Sequence, residues 1–261
     1  QSKGMNIANL LPIAADEKVT SMIRVPEFDE EKYLVMVTKQ GIIKRISLNA
    51  YNTARKGGLI ALELNEGDEL AWVRLTDGNQ QVIVATKNGL AIRFEETDVR
   101  PMGRQARGVK AISLREGDCV VGMCVVTNDD LILTASETGF GRISNVSDYR
   151  LQSRGGKGIT NYHTEKYGNV AAVSAVKLDE DIIIISQEGV IIRIAADTVR
   201  ICNRPSKGVT LMRIGENDKV VTVARAPHED SESEKTEETA EEETSEENTA
   251  PETNAEENTE E

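Results

Sequence analysis

The stretch Gln152-Ser153-Arg154-Gly155-Gly156-Lys157-Gly158 carries two cations, three glycines and no acid in seven residues. Glycine opens backbone conformations that are closed to other residues and lets a ligand come close to the amide groups. An arginine and a lysine beside such a turn can meet a phosphate. Alone, a turn of this composition is typical of an exposed connector, so its meaning depends on whether it recurs.

The glycines of this stretch belong to a series with a fixed period. One series, in which each member shortly follows a cation, is spaced 50 residues apart: Gly58, Gly108, Gly158 and Gly208. A second series, in which each member precedes a short apolar run with a cation, is spaced 48, 50 and 50 residues apart: Gly41, Gly89, Gly139 and Gly189. Two interleaved series with one period predict a repeat protein.

Each period contains short runs rich in β-branched residues, separated by polar turns, which predicts strands rather than helices. The predicted strands of the first period are Met5–Leu11, Val19–Val25, Tyr33–Thr38 and Ile42–Ile46. Later periods repeat the plan, and their first strands are Leu59–Leu64, Val109–Leu114, Ile159–Tyr162 and Val209–Ile214.

The repeats number about four and a half, with approximate bounds 1–50, 51–98, 99–148, 149–199 and 200–226. Four strands in ~50 residues are typical of a propeller-like ring, in which neighbouring blades supply one another's core. The sequence therefore predicts an all-β ring of four-stranded blades with about 18 strands. Because the chain begins inside a repeat, we expect it to be a piece of a longer protein.

The net charge of −13 arises at one end of the chain. Residues 227–261 hold 16 of the 44 acids and one of the 31 cations, which leaves residues 1–226 with a net charge of +2. The same terminal segment lacks aromatic and branched aliphatic residues, so it cannot bury enough apolar surface to fold. We expect a β domain over residues 1–226 and a disordered acidic tail over residues 227–261.

The sequence contains no known catalytic or metal-binding pattern. Gly158 occupies the Ser/Thr position of a nucleotide-binding loop, and the GxSxG and HExxH patterns are absent. His163 and His228 have no partners at ligand spacing, and three cysteines without a CxxC pair fit a reduced compartment. Every apolar run is too short to span a membrane. We expect no catalytic residue, cofactor, metal site or membrane contact in this segment, and a cytoplasmic location.

The recurring cations indicate an anionic partner. In a ring of blades, one cationic turn per blade forms a belt around the rim, and such a belt suits duplex DNA, which carries one charge per ~1.7 Å of axis. Contacts at a rim reach backbone phosphates and carry little base information. DNA that follows the rim must bend, at a cost on the order of 1–10 kcal/mol. The residues predict non-specific wrapping of DNA around a β ring.

The candidate DNA-binding residues are the cations beside the two glycine series. They are Lys3, Lys44, Arg45, Arg55, Lys56, Arg93, Arg104, Arg107, Arg142, Arg154, Lys157, Arg193, Arg204 and Lys207.

Over nearly all of residues 1–226 the sequence resembles the β-pinwheel, which is the C-terminal domain of the DNA gyrase A protein. The resemblance is carried by Asn9-Leu10-Leu11-Pro12, by Tyr33–Thr38, by the segment from Val99 to Gly108 and by the Gln152–Gly158 stretch. It implies hairpin-swapped blades in a six-bladed disc that wraps DNA with positive handedness. It also implies that this domain works within a chromosome-associated A2B2 holoenzyme, with the catalytic region of the A protein and with the B protein as partners. That holoenzyme uses ATP and Mg²⁺ to introduce negative supercoils.

Two alternatives stay open beside this resemblance. The gyrase box of the first blade, QRRGGKG, is absent, and Gln152–Gly158 resembles its degenerate counterpart in a later blade. The C-terminal domain of the A protein of topoisomerase IV, a decatenating relative, therefore stays open as an alternative. The regular fifty-residue spacing favours gyrase. From another class, a protein-binding propeller of the WD40 or kelch kind is possible, but the single tryptophan, Trp72, is not followed by Asp and fits a core position. The tail is either a solubiliser or an anionic competitor of DNA on the rim.

Overall fold

The computed structural model describes residues 4, 17, 19–53 and 58–228. The chain divides into two units, residues 1–226 and residues 227–261, and the described strands lie in the first, with the last strand ending at Pro227. The expected acidic tail lies outside the described residues from Glu229 onward. Fifteen strands are present in the described part: β1 (Tyr33–Thr38), β2 (Ile42–Ser47), β3 (Leu70–Thr76), β4 (Gln81–Thr86), β5 (Leu90–Glu95), β6 (Val109–Lys110), β7 (Val120–Val126), β8 (Leu131–Ser136), β9 (Phe140–Asn145), β10 (Ile159–Thr160), β11 (Val170–Val176), β12 (Glu180–Ser186), β13 (Ile191–Ala195), β14 (Val209–Thr210) and β15 (Val220–Pro227).

The strands form four antiparallel sheets, which we call the first to fourth blades. The strand orders are β3-β1-β2-β6, β7-β4-β5-β10, β11-β8-β9-β14 and β15-β12-β13. Each blade is built on a hairpin (β1–β2, β4–β5, β8–β9 or β12–β13), and a 3-10 turn follows each hairpin: Leu48–Tyr51, Glu96–Asp98, Val146–Asp148 and Ala196–Thr198. One short helix, α1 (Thr164–Tyr167), precedes β11.

A blade does not correspond to one period of the sequence. In the first blade, β1 and β2 lie in the first predicted period, β3 lies in the second and β6 lies in the third, where Val109 and Lys110 pair with Ile43 and Ile42 of β2. The same exchange places β10 beside β5 and β14 beside β9. Successive blades are therefore linked by shared strands as well as by packing.

The blades stand in a propeller-like ring, which confirms the predicted all-β fold. The edge strands β3, β7 and β11 contact one another across neighbouring blades, and with β15 they line a central cavity of about 340 Å³. The short strands β6, β10 and β14 occupy the opposite sheet edges and therefore lie on the outside of the ring.

The hydrophobic core is divided into three clusters, one between each pair of successive blades. Val35 of the first blade meets Val84 and Phe94 of the second, and Trp72 packs against this cluster. Ile83 of the second blade meets Tyr149 in the next cluster. Since a single sheet cannot cover both of its faces, each blade depends on its neighbours for its buried surface.

Two predicted strands are wrong: neither Val19–Val25 nor Leu59–Leu64 is a strand. The strands at the inner sheet edges, such as β3 and β7, pair with a hairpin strand about 40 residues earlier in the chain. The short strands at the outer edges, such as β6, pair with a hairpin strand about 67 residues earlier. Among the described residues, no strand pairs with either segment, so the ladder hydrogen bonds that define a strand are not made. The predicted strand Met5–Leu11 lies outside the described residues.

Candidate nucleic-acid interface

Three loops run along the outer edge of the ring, each between a 3-10 turn and a short outer strand. We call residues 99–108, 149–158 and 199–208 the first, second and third rim loops. They lead into β6, β10 and β14, which are the outermost strands of the first, second and third blades. Backbone hydrogen bonds fix each loop to a blade, because Met102 N donates to Arg45 O and Gln152 N to Arg93 O, at 2.8 and 3.0 Å.

Each rim loop carries three cations and no acid. The cations stand at the first, fifth and eighth positions counted from Arg100, Arg150 and Arg200: Arg100, Arg104 and Arg107, then Arg150, Arg154 and Lys157, then Arg200, Arg204 and Lys207. With no carboxylate within these loops, each of them adds a net positive charge to the outer edge of its blade, and a group of like charges of this kind favours an anionic partner.

The predicted cations at the eighth positions are exposed, as a belt requires. Lys157 is exposed, and Arg107, with 62% of its side chain accessible, forms an ion pair with Glu63 at 2.7 Å. The hydrogen bond between these two side chains lowers the pKa of Glu63 and raises that of Arg107. Lys207 is exposed as well, and its Nζ lies 3.6 Å from the centre of the Phe140 ring. These three cations therefore lie on the outer edge of three successive blades.

The predicted cations at the fifth positions are half-buried. Arg154 and Arg204 each donate to a backbone carbonyl 56 residues earlier, and the carbonyl of Arg104 accepts a hydrogen bond from Lys44 Nζ. These side chains lie at the rim, but the donors of Arg154 and Arg204 are directed partly into the protein.

Four predicted cations are inside the protein, which corrects their assignment as DNA contacts. Lys44 and Arg142 are fully buried, and burial lowers the pKa of both. Lys44 Nζ donates to Ala61 O at 2.7 Å, and Arg142 Nη2 donates to Asn161 O at 2.6 Å. Both are third after a turn glycine, on the strand face that packs inside, so a phosphate does not reach them.

Arg45 and Arg93, the other two, are 6% and 5% exposed. Arg93 Nη1 donates to Val146 O and Tyr149 O, both at 2.9 Å, and its Nε donates to Gln81. Arg45 lies 3.8 Å from the centre of the Tyr33 ring and forms a buried ion pair with Glu96. Their repeated spacing reflects a repeated internal role, which the sequence does not distinguish from a repeated surface role.

The remaining predicted cations are outside the rim loops. Arg193, on β13, is exposed and forms an ion pair with Asp181 at 2.6 Å. Lys3, Arg55 and Lys56 lie outside the described residues.

The sequence reasoning missed the cations at the first positions. Arg100, Arg150 and Arg200 are all exposed and stand two residues after the last residue of each 3-10 turn. A signal for them exists, because these arginines are spaced by the same 50 residues as the glycines. No glycine adjoins them, so a search for cations beside glycines does not find them.

The described residues also bear on metal binding, cysteine reactivity and membrane spans. Within them, no group of three or more His, Cys, Asp or Glu side chains is placed to hold a metal ion. The cysteines are free thiols, and burial raises the pKa of Cys124 to about 11, so it is no nucleophile at neutral pH. Over the same residues, no helix has the length and apolar character of a membrane span.

A family model described as the DNA gyrase C-terminal domain, a beta-propeller, matches residues 32–77, 80–126, 130–177 and 180–227. The four matched segments cover more than half of the chain, and each begins at or just before a blade hairpin.

Curated relatives match a shorter part of the chain. The DNA gyrase A protein of Clostridium acetobutylicum is 53% identical over 109 residues, which are 42% of this chain and 13% of that protein. The DNA gyrase A protein of Halalkalibacterium halodurans is 54% identical with equal coverage. The match thus covers only about an eighth of the length of these relatives.

Solved structures match most of the chain. The C-terminal domain of a DNA topoisomerase IV superposes with a TM-score of 0.81 and 27% identity, covering 92% of this chain and 75% of that one. A DNA gyrase A C-terminal domain gives 0.75 and 28%, covering 86% and 76%.

Proposed function

The chain belongs to the family of DNA gyrase C-terminal β-propeller domains, and from that premise we propose that residues 1–226 bind duplex DNA and bend it along the rim loops. The observation that carries this proposal is the set of nine cations in three rim loops that contain no acid, six of them exposed, on the outer edges of three successive blades. Loops at an edge reach phosphates rather than base edges, so binding is independent of sequence except where flexible steps ease bending.

Within a whole enzyme, this domain supplies DNA binding and not chemistry. We propose that it serves a DNA gyrase, a type II topoisomerase of two A and two B proteins in the cytoplasm, associated with the chromosome. ATP hydrolysis and Mg²⁺ then belong to other parts of that enzyme, and bent DNA on the rim presents a neighbouring segment for strand passage, which yields negative supercoils. The support is the name shared by the curated relatives.

A domain of the topoisomerase IV A protein is the second candidate. This candidate is favoured by the structural comparison, in which the solved topoisomerase IV domain has a higher TM-score than the solved gyrase domain. The two candidates differ in the reaction of the complete enzyme. Grafted onto a gyrase catalytic core that lacks its own C-terminal domain, this chain should restore negative supercoiling of relaxed plasmid if it is a gyrase domain, and only relaxation and decatenation if it is a topoisomerase IV domain.

A filter-binding titration with duplex DNA tests the proposal against a protein-binding propeller. The six rim cations at the first and eighth positions predict that log K falls with log salt with a slope of about −5, or about a thousandfold loss between 50 and 200 mM. A protein-binding propeller predicts little binding at any salt concentration, and that result would overturn the proposal. Two duplexes of unrelated sequence serve as a control, since phosphate contacts predict similar affinities for both.

A further inference from the structure

The two arginines at the fifth positions of the second and third rim loops make the same pair of contacts one period apart. Arg154 Nε donates to Asp98 O at 3.0 Å, and its Nη1 donates to Lys110 O at 3.1 Å. Arg204 Nε donates to Asp148 O at 2.7 Å, and its Nη1 donates to Thr160 O at 2.8 Å. Each arginine thus donates to one carbonyl 56 residues earlier in the chain and to another 44 residues earlier.

The four accepting carbonyls flank the rim loops. Asp98 and Lys110 stand on either side of the first rim loop, 99–108, and Asp148 and Thr160 stand on either side of the second, 149–158. The arginine of each loop therefore joins the two ends of the loop before it. The second and third rim loops are linked in this way to the first and second, so the three loops form one connected series.

Further contacts support the junction between the first and second rim loops. Gly155 N, beside Arg154, donates to Ala111 O at 2.6 Å, and Ser113 N donates to Gly156 O at 2.8 Å. The Ser113 hydroxyl also donates to Gly155 O at 2.8 Å. The backbone of the second loop is thus bound to the segment that follows the first.

The cations at the first positions are held from inside the ring. Arg93 donates to the carbonyl of Tyr149, the residue before Arg150, and Arg45 lies 3.5 Å from the carbonyl of Val99, the residue before Arg100. Their backbone is fixed, while the guanidinium groups of Arg100, Arg150 and Arg200 belong to exposed residues.

We propose that the rim cations divide into two roles: Arg154 and Arg204 are positioning residues that join successive rim loops, and Arg100, Arg150 and Arg200 contact DNA phosphates together with the eighth-position cations. The phosphate part of this inference rests on the proposed function. The joining part does not, because it concerns contacts that exist without DNA.

Exchange of arginine for lysine separates the two roles. A lysine keeps the charge and can contact a phosphate, but its single ammonium group lacks the planar fork that reaches two carbonyls at once. We therefore expect the combined substitutions Arg100→Lys, Arg150→Lys and Arg200→Lys to keep DNA affinity and its salt dependence. We expect Arg154→Lys with Arg204→Lys to have almost the same effect as the corresponding substitutions by Ala.

The experiment uses the 261-residue chain with two sets of variants, each made with Ala and with Lys: the triple set at Arg100, Arg150 and Arg200, and the double set at Arg154 and Arg204. For the triple Ala variant the salt slope should be shallower by about 2.7, so that its affinity loss between 50 and 200 mM salt is about fortyfold smaller than that of the parent chain. For the double set, hydrogen exchange without DNA should speed up at least about tenfold at the amides of Ser113 and Gly155, in the Lys variant as in the Ala variant.

Three results would overturn the inference. An unchanged slope in the triple Ala variant removes the phosphate role, and restored amide protection with Lys at 154 and 204 removes the joining role. If the parent chain binds no DNA, the proposed function and the phosphate role fail together, while the exchange measurement still decides whether the arginines join the loops.

Discussion

Arg93 is a cation whose partners are mainly carbonyl and amide oxygens. Its guanidinium donates to the backbone oxygen of Val146 in the 3-10 turn after β9, to that of Tyr149 in the second rim loop, and to the side chain of Gln81 in its own blade. Burial lowers its pKa, yet several charge-assisted hydrogen bonds compensate for the loss of water. A cation that recurs every fifty residues can therefore have either of two roles: it can hold neighbouring blades together by internal hydrogen bonds, or it can contact a ligand.

The substitution Arg93→Ala should destabilise the ring. It leaves the buried carbonyl of Tyr149 without its arginine donor and removes one of the two donors of the Val146 carbonyl, and we expect a loss of about 3 kcal/mol in the free energy of unfolding. Urea unfolding followed by circular dichroism measures this change. Arg100→Ala, an exposed cation of the same rim, should alter stability by no more than about 0.5 kcal/mol. Equal effects of the two substitutions would contradict the internal role of Arg93.

The glycines that reveal the period have a physical reason at the level of the elements. Gly108, Gly158 and Gly208 have φ of +99°, +73° and +81°, and at each a Cβ would collide with a backbone oxygen of a hairpin strand. They end the rim loops at the point where the short outer strand joins its blade. Gly58 shares the conformation, with φ of +77°, but has no atom within 4 Å of the Cβ position among the described residues.

Gly58 and Gly158 form a matched pair for a test of this strand junction. Gly58→Ala should cost only the left-handed backbone strain, about 1–2 kcal/mol. Gly158→Ala adds the collision with Ala91 O and should cost about 1–3 kcal/mol more, since β10 must move from β5. Thermal and urea unfolding of the two variants compare them directly. Equal losses would show that close approach at this junction is unimportant.

An aspartate holds the hairpin turn of several blades. Asp118 Oδ1 accepts from Asn88 N and Cys119 N, and Asp218 Oδ1 accepts from Glu188 N and Lys219 N, at 2.8–3.1 Å. The third blade departs from this plan. There, α1 stands before β11 in place of the turn that carries the aspartate, and Thr138 of the hairpin turn donates to the Tyr167 carbonyl instead. The aspartate therefore joins a turn to the start of the inner-edge strand.

The Asp218 turn should be sensitive to acid. A hydrogen bond from Ser186, followed by backbone amide donors, lowers the pKa of Asp218 below its ordinary value of 3.8. A carboxyl group with a lowered pKa contributes stability above its unfolded pKa and loses it as pH falls through the folded one. The amide signals of Glu188 and Lys219 should therefore shift in NMR spectra only below about pH 4. In Asp218→Asn this transition should vanish, and its persistence would contradict the assignment.

The sequence predicts the elements better than their assembly. The predicted bounds of Tyr33–Thr38 are confirmed to the residue, and those of Ile42–Ile46 to within one residue, because β-branched composition is a local property. The exchange of β6, β10 and β14 between periods is not predictable from the residues alone, since pairing with a distant partner leaves no local mark. The burial of Lys44 and Arg142 escapes prediction for a related reason: on a strand, one position decides whether a side chain faces the core.

At the scale of the whole molecule, stable blades and a charged rim act together. Bending a stiff duplex costs on the order of 1–10 kcal/mol, and contacts made by several blades in series must offset that cost. Loops that are fixed to their blades present their cations without a further loss of entropy on binding. The ring geometry therefore matters more than the affinity of any single cation.

The acidic segment 227–261 should compete with DNA for this rim. Tethered to the last blade, it has a high effective concentration there, and we expect its removal to raise DNA affinity at low salt. The difference should disappear near 1 M salt, where screening acts over about 3 Å. Binding titrations of the full chain and of residues 1–226 measure the effect. Identical affinities at low salt would leave the segment as a solubiliser.

The central claim is that DNA follows the outer edge across several blades, and the distance between the ends of bound DNA tests it most directly. A duplex of about 40 base pairs, shorter than the persistence length and carrying a donor and an acceptor dye at its ends, stays nearly straight when free. Binding of the 261-residue chain should raise energy transfer between the dyes, and the Arg100→Ala, Arg150→Ala, Arg200→Ala triple variant should lose most of that rise at protein concentrations that saturate the parent chain. Tight binding with unchanged energy transfer would mean that the DNA crosses the ring without following its edge, and would contradict the claim.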